Sequence, residues 1–523
     1  MNAKFICGWL IAGGMLGTPP VLWGASAPKV KTDAGVLEGK RVGSVHAFLG
    51  IPYAAPPVGD LRWKPPVPLT RGGGVRKVTE FGAHCMQGKV YGDMNFRDAG
   101  QSEDCLTLNV WVPAKASAKK LPVMVWIYGG GFVAGTTSEA RQDGTRLAQQ
   151  GVIVVSMNYR LGIFGFFVHP ELTRESAHEA AGNYGLLDQV AALHWVHDHI
   201  AAFGGDPGNV TIFGESAGAF SVSAQMASPL AKGLFQKAIG ESGGAFFSGD
   251  LSFEPRSARE EKDAQLVRSK LGVSTLAELR ALPAQKLLDA FSPPQSPGFD
   301  FSPDVDGYFF PEPVPAIFAA RKQNDVPLLA GWNHDEGSFE IAFSPQKPTV
   351  ETLKAAAQKE FGDRADEFLK LYPSDSEVHG LRSAEDFAGD RFIAFSTWEW
   401  MESQAKSGNQ PVYRYRFDLG PPADPKGPPL GAYHSSEIEY VFGQLDSKAG
   451  VAWRPEDRRL SREMQKYWAN FARSGDPNGP GLPKWPVYSA ADGWSVMLLD
   501  AQSSAHQDDL RERYLFLAGA WAK

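Results

Sequence analysis

One short stretch constrains this chain more than any other. Val210, Ile212 and Phe213 are the β-branched and aromatic residues that a buried strand favours. Gly214-Glu215-Ser216-Ala217-Gly218 follows without a break, and Ala219, Val222, Ala224 and Met226 continue at roughly helical spacing. Strand, G-x-S-x-G, helix is the setting of a nucleophile elbow. A serine hydroxyl is a weak nucleophile until a base takes its proton, so Ser216 has to stand clear at the tip of a sharp turn. Gly214 and Gly218 leave room for strand and helix to approach each other. The new helix N-terminus aims backbone N–H groups at charge developing on a bound carbonyl oxygen. The pattern occurs twice, because Gly240-Glu241-Ser242-Gly243-Gly244 also fits. No clear helix follows it; residues 245–250 read as a loop. Ser216 is the expected nucleophile, and Ser242 the expected polar end of a strand, bonded to a neighbouring loop.

The strand that enters the elbow is one of several. Residues 103–112, 121–128 and 152–157 are apolar runs, the last two nearly continuous, as strands covered on both faces are. Residues 186–203 place Leu187, Val190, Ala191, Trp195 and Ile200 on one side of a helix. Strands alternating with helices predict an α/β fold with a central, mostly parallel sheet and helices on both faces. Residues 30–48 suggest a small N-terminal antiparallel meander. Helices are expected at 258–271, 275–291, 387–405 and 458–472, a charged surface helix pair at 350–371, and a strand at 411–417. The 523 residues exceed the usual domain, so two or three domains are open on length alone.

The start of the chain has another character. Lys4 precedes an apolar, small-residue run ending in Ala25-Ser26-Ala27. This is the pattern of a signal peptide over residues 1–27, cleaved near Ala27, with export to a periplasm or the medium. No later stretch is long and apolar enough to span a membrane. Cys7 leaves with the leader, so Cys85 and Cys105 remain and are expected to form one disulfide. The net charge of −7 argues against a nucleic-acid partner.

A series of ordered motifs now identifies a resemblance. They are residues 48–63, 103–109, 127–132, Asn158-Tyr159-Arg160-Leu161-Gly162, 183–189, Phe203-Gly204-Gly205-Asp206-Pro207, 211–218, Asp306-Gly307 with Phe309-Phe310-Pro311, Asp335-Glu336-Gly337-Ser338, 434–443 and 471–478. The chain resembles the type-B carboxylesterase/lipase family, the cholinesterase-like branch of the α/β-hydrolases. The match runs along nearly the whole chain after residue 27. The resemblance therefore implies a single α/β-hydrolase domain over 28–523, with large helical insertions.

A serine nucleophile needs a histidine base and an acid that orients it. His334, His379, His434 and His506 follow Ser216. His434 lies in a loop between a strand and residues 438–442, and the family motif falls on it. Asp335 and Glu336 both qualify chemically as the acid; the resemblance selects Glu336. Ala217 N–H is expected in the oxyanion hole, and the resemblance adds Gly130 and Gly131. Arg160 with Asp188, and Glu103 with Arg41 or Arg62, read as ion pairs of the scaffold. His194, His197 and His199 lack acidic or cysteine partners at ligand spacing, so neither metal nor cofactor is expected.

The implied reaction is hydrolysis of a small-molecule carboxylic ester through an acyl-enzyme. The alternative is a lipase or a hydrolase specialised for a polyester or aromatic ester. Adhesion proteins of the family lack the serine that this chain keeps. The loop 86–104 has Tyr91 and Phe96 as its aromatics and no tryptophan, which argues against choline esters. Phe299 and Phe301 match the region that shapes the family's acyl pocket.

Overall fold

A computed structural model describes residues 27–33, 35–69, 72–115, 119–246, 252–292, 300–344, 347–423, 427–428 and 430–521. The expected leader, save Ala27, and Phe299 lie outside the described residues.

The apolar runs become strands of one 11-stranded sheet. In chain order these are β1 (Lys40–Val42), β2 (Val45–Pro52), β3 (Thr107–Pro113), β4 (Leu121–Ile127), β5 (Ile153–Met157), β6 (Gly205–Glu215), β7 (Lys237–Glu241), β8 (Leu328–Asn333), β9 (Val412–Phe417), β10 (Ser495–Leu499) and β11 (Ser504–Gln507). Across the sheet the order is β11-β10-β9-β8-β7-β6-β4-β5-β3-β2-β1. The seven strands from β10 to β5 run parallel. Antiparallel strands finish both edges. Every residue of β5 and β7 is buried, as parallel strands under helices on both faces must be. The sheet matches the expected fold class.

The N-terminal meander divides between two sheets. Lys29–Thr32 pairs antiparallel with Gly35–Glu38, and Val75–Lys77 joins them, while β1 and β2 extend the central sheet.

Helix α1 (Tyr184–His199) and the wholly buried α2 (Ala217–Ala227) flank the elbow strand. The expected helix at 275–291 is two, Leu276–Ala281 and Ala284–Phe291, because Pro283 has no N–H to continue the first. The expected helix at 387–405 is also interrupted. Helix α3 (Glu377–Gly389) passes through a π turn at Asp390–Ala394 into α4 (Phe395–Ser407). Helix α5 (Pro455–Ser474) carries the foreseen apolar face of Leu460, Met464, Tyr467, Trp468 and Phe471, all buried.

Two scaffold pairs form as read. Arg160 holds Asp188 at 2.7 Å, and Glu103 takes Arg62, not Arg41, at 2.6 Å. Cys85 and Cys105 are joined as a disulfide. Among the described residues no helix is long and apolar enough to cross a membrane.

Parallel strands put their carboxyl ends on one side of the sheet. There β4 runs into Gly129, β6 into Ser216, β8 into His334 and β9 toward the loop bearing His434. Open α/β sheets gather their sites at that edge.

Candidate active site

The two G-E-S sequences lie side by side. In the β6–β7 register Gly214 faces Gly240 and Glu215 faces Glu241. Both serines then take a left-handed backbone, φ 54° at Ser216 and 51° at Ser242, which non-glycine residues avoid. Ser216 N–H donates to Glu241 C=O at 2.9 Å, and Ser242 N–H to Gly331 C=O at 2.8 Å. Burial separates them: Ser216 is partly open, whereas Ser242 is 0% exposed. Of the two, Ser216 is the one with its surface open to solvent. The glycines earn their places sterically, since a Cβ on Gly218 would stand 2.0 Å from Ile127 O.

His434 brings the distant parts together. Its Nε2 lies 3.0 Å from Ser216 Oγ, and its Nδ1 lies 2.7 Å from Glu336 Oε2. With Nδ1–H donated to the carboxylate, Nε2 is the nitrogen free to accept the serine proton. Glu336 is fixed through its other oxygen, Oε1, which accepts from Asn333 N–H at 2.8 Å and Ser242 Oγ–H at 2.5 Å. Ser242 thus bonds the neighbouring loop as expected, and that loop holds the acid beside the imidazole.

Asp335 faces elsewhere. It pairs with Arg382 at 2.5 Å and His334 at 3.0 Å, and accepts from Ala432 N–H. Burial alone would raise its carboxyl, but the hydrogen bonds and charge of His334 and Arg382 hold it well below the usual range. His379 and His506 are exposed and bond Asp375 and Ser504.

The glycine loop packs on the nucleophile. A Cβ on Gly129 would come within 3.0 Å of Ser216 Cβ, and Gly130 and Gly131 take φ of 102° and 64°. Ala217 is the first residue of α2, with Ser216 at the helix's N-cap. Met94 from the disulfide loop closes over this segment, its Cε 3.2 Å from a Cβ on Gly130. Phe301 is buried edge-on to Phe167 and Phe291.

Three residues were not foreseen. Glu215 is buried, and its Oε1 stands 3.2 Å from His434 Nε2 with no hydrogen-bond partner. Phe392, on the π turn, sets its ring edge-on to the imidazole at 4.9 Å. Arg141 reaches Ser435 beside the base. The repeated G-E-S was the available signal for Glu215; an isolated aromatic and an isolated arginine carry none. Burial alone would lower the His434 imidazole. Glu215 and then Glu336 overcome it and push it up to about 9. Burial pushes Glu215 up to about 7, against the pull of His434 and Arg141.

A hydroxyl, an imidazole and a carboxylate in this order can open an acyl bond by covalent catalysis. Comparison with known proteins gives the family. The profile described as Carboxylesterase family matches residues 26–517. The chain is 37% identical over 491 residues to fumonisin B1 esterase of Sphingopyxis macrogoltabida, covering 90% of this chain and 86% of that protein. It is 37% identical over 500 residues to para-nitrobenzyl esterase of Bacillus subtilis (strain 168), covering 92% and 97%. A solved structure of PNB esterase superposes with a TM-score of 0.80 at 36% identity, covering 94% of this chain and 99% of that one.

Proposed function

The chain belongs to the carboxylesterase family and is a carboxylic ester hydrolase, and from that premise we propose that it works through an acyl-enzyme on Ser216, with His434 as base and Glu336 as orienting acid. The observation that carries this reading is the imidazole seated 3.0 Å from the hydroxyl and 2.7 Å from the carboxylate.

His434 Nε2 takes the Ser216 proton as Oγ attacks the ester carbonyl carbon. The carbonyl oxygen becomes an oxyanion, bound by the N–H groups of Gly130, Gly131 and Ala217. The C–O bond to the alcohol breaks, and the alcohol leaves with the proton held on Nε2. Water then gives a proton to Nε2 and adds to the acyl carbon. Collapse releases the acid and restores the serine. Glu336 stabilises the imidazolium in both halves.

Phe301 is proposed as a wall of an apolar acyl pocket, supported by its place among Phe167 and Phe291. Para-nitrobenzyl esters are the first substrates to try, since one relative is named for them. Residues 28–523 are proposed to be one unit, supported by a sheet whose strands run from residue 40 to 507. Export after cleavage near Ala27 is supported by the leader pattern and the disulfide. N-terminal sequencing of the mature protein from each cell fraction tests it.

The catalytic reading is tested by covalent labelling with an organophosphate, followed by peptide mass spectrometry. The expected adduct is on Ser216. An adduct on Ser242, or hydrolysis retained in Ser216→Ala, overturns the assignment.

A further inference from the structure

The disulfide loop, the segment after the glycine loop and the base loop meet at one guanidinium. Arg141 sits in the turn Ala140–Gln142, with its side chain 12% exposed. Its Nε lies 2.5 Å from Glu139 Oε1 as an ion pair, without the alignment of a hydrogen bond. Its Nη1 lies 3.4 Å from Asp93 Oδ2 in the disulfide loop and 3.4 Å from Ser435 Oγ, one residue past the base. Glu139 is itself fixed: its Oε2 accepts from Gln142 Nε2 at 2.7 Å, and Gln142 Oε1 accepts from Trp126 Nε1 of β4 at 2.8 Å. A rigid, charged fork is thus anchored to the central sheet and held against the neighbour of His434.

We propose that Arg141 is a positioning residue of the hydrolytic site: by joining Asp93, Glu139 and Ser435 it fixes the loop that carries His434 and sets a fixed positive charge among the acids at this corner. The inference rests on His434 being the base. An ion pair serving the scaffold alone needs only Glu139. What sets Arg141 apart is its reach to Ser435 and its place among the acids of the site. Lysine could supply a charge but not the planar, multi-donor fork that touches three partners.

The groups in play come from every element at this corner. The imidazole is faced by Glu336 from the loop after β8, Glu215 from the end of β6, Ser216 at the elbow and Phe392 on the π turn. Arg141 is surrounded by Glu139, Asp93, Glu215 and Glu439. Tyr433 and Lys448 bond each other nearby, and Tyr91 feels Glu215 and Asp93. Glu215 acts to keep the proton on His434, and Arg141 acts to remove it. Arg141 likewise favours the ionised forms of Glu139 and Glu215. Loss of the guanidinium therefore makes every proton release at this corner harder, and the sign of the effect is fixed.

The test is the pH profile of kcat/KM on p-nitrophenyl acetate at low ionic strength for the wild type, Arg141→Gln, Arg141→Lys and Asp93→Asn. Arg141→Gln is expected to move the acid limb up by roughly half to one pH unit. Arg141→Lys is expected to return the limb near its wild-type position while kcat stays lower. Asp93→Asn changes an exposed side chain, keeps the fold, and is expected to move the limb down. A merely structural role would lower the melting temperature or the activity at every pH and leave the limb in place. An unmoved limb in folded Arg141→Gln, or an upward shift in Asp93→Asn, overturns the proposal. If Arg141→Gln does not fold, Asp93→Asn decides by its sign. Failure of the underlying reading is seen separately, as hydrolysis retained in Ser216→Ala or His434→Ala.

Discussion

Ser242 donates a 2.5 Å hydrogen bond to Glu336, across the sheet end from the serine it copies in sequence. One repeated tripeptide thus makes the same strained turn twice, for different ends. The first turn lifts a hydroxyl into the open. The second buries one beneath the acid that orients the base. Replacing Ser242 with alanine leaves Glu336 with Asn333 N–H and the imidazole as partners. A lost bond to a charged group is worth about 1.5–3 kcal/mol. Ser242→Ala is therefore expected to lower kcat roughly tenfold to a hundredfold while organophosphate labelling of Ser216 persists. Steady-state kinetics on one ester check it.

Ser216→Ala removes the proposed nucleophile. Turnover is expected to fall by roughly four to six orders of magnitude, as in other serine triads. Burst kinetics with a chromogenic ester give the companion reading: the acyl-enzyme burst of the wild type disappears.

The surroundings of His434 set the expected pH profile. An unperturbed imidazole titrates at about 6.5, and a lone His434 would set the acid limb there. The structure places Glu215 and Glu336 on its two nitrogens, and their charge carries it to about 9. Protonated His434 cannot accept a serine proton, so with His434 as the proposed base activity is expected to rise as pH climbs through that value and to fall below it. The kcat/KM profile should show its acid limb well above 6.5. Glu215→Gln removes one of the two anions and should move the limb down by about one unit.

The disulfide ties the far side of the site. Its loop brings Met94 over Gly130 and Asp93 to Arg141. Closing a loop of this size is worth about 3 kcal/mol. Reduction, or Cys85→Ser with Cys105→Ser, should lower the melting temperature by several degrees and raise KM more than it lowers kcat. Melts and kinetics with and without reductant measure both.

What the sequence could reveal followed from local rules. The elbow was legible because strand, glycines and helix are adjacent in the chain. Ser242 and Glu215 were harder, because their partners Glu336 and His434 lie in the segments after β8 and β9, far away in the chain. The π turn that carries Phe392 to the imidazole has no periodic signature, since residues 387–405 satisfy a helical pattern either way. β10 offers only the short apolar run Val496-Met497-Leu498-Leu499, which periodicity alone does not separate from a buried helical turn, and β11 is four exposed residues with no apolar run. Orientation separates the two neighbouring carboxylates that chemistry alone left open: Glu336 faces the imidazole and Asp335 faces Arg382.

That choice has its own consequence. Glu336 is aimed at His434 Nδ1, whereas Asp335 is bound to Arg382 and holds the base loop through Ala432 N–H. Glu336→Gln keeps the shape but presents an amide where the imidazolium needs an anion, and kcat should fall by roughly three to four orders of magnitude. Asp335→Asn keeps one acceptor for Ala432 but breaks the pairing with Arg382. Its expected effect is a lower melting temperature with kcat within about tenfold of wild type, since the charge beside Nδ1 is untouched. Comparison of the two variants in kinetics and thermal melts separates them. If Asp335→Asn proves the more damaging to kcat while still folded, the orienting charge does not come from Glu336.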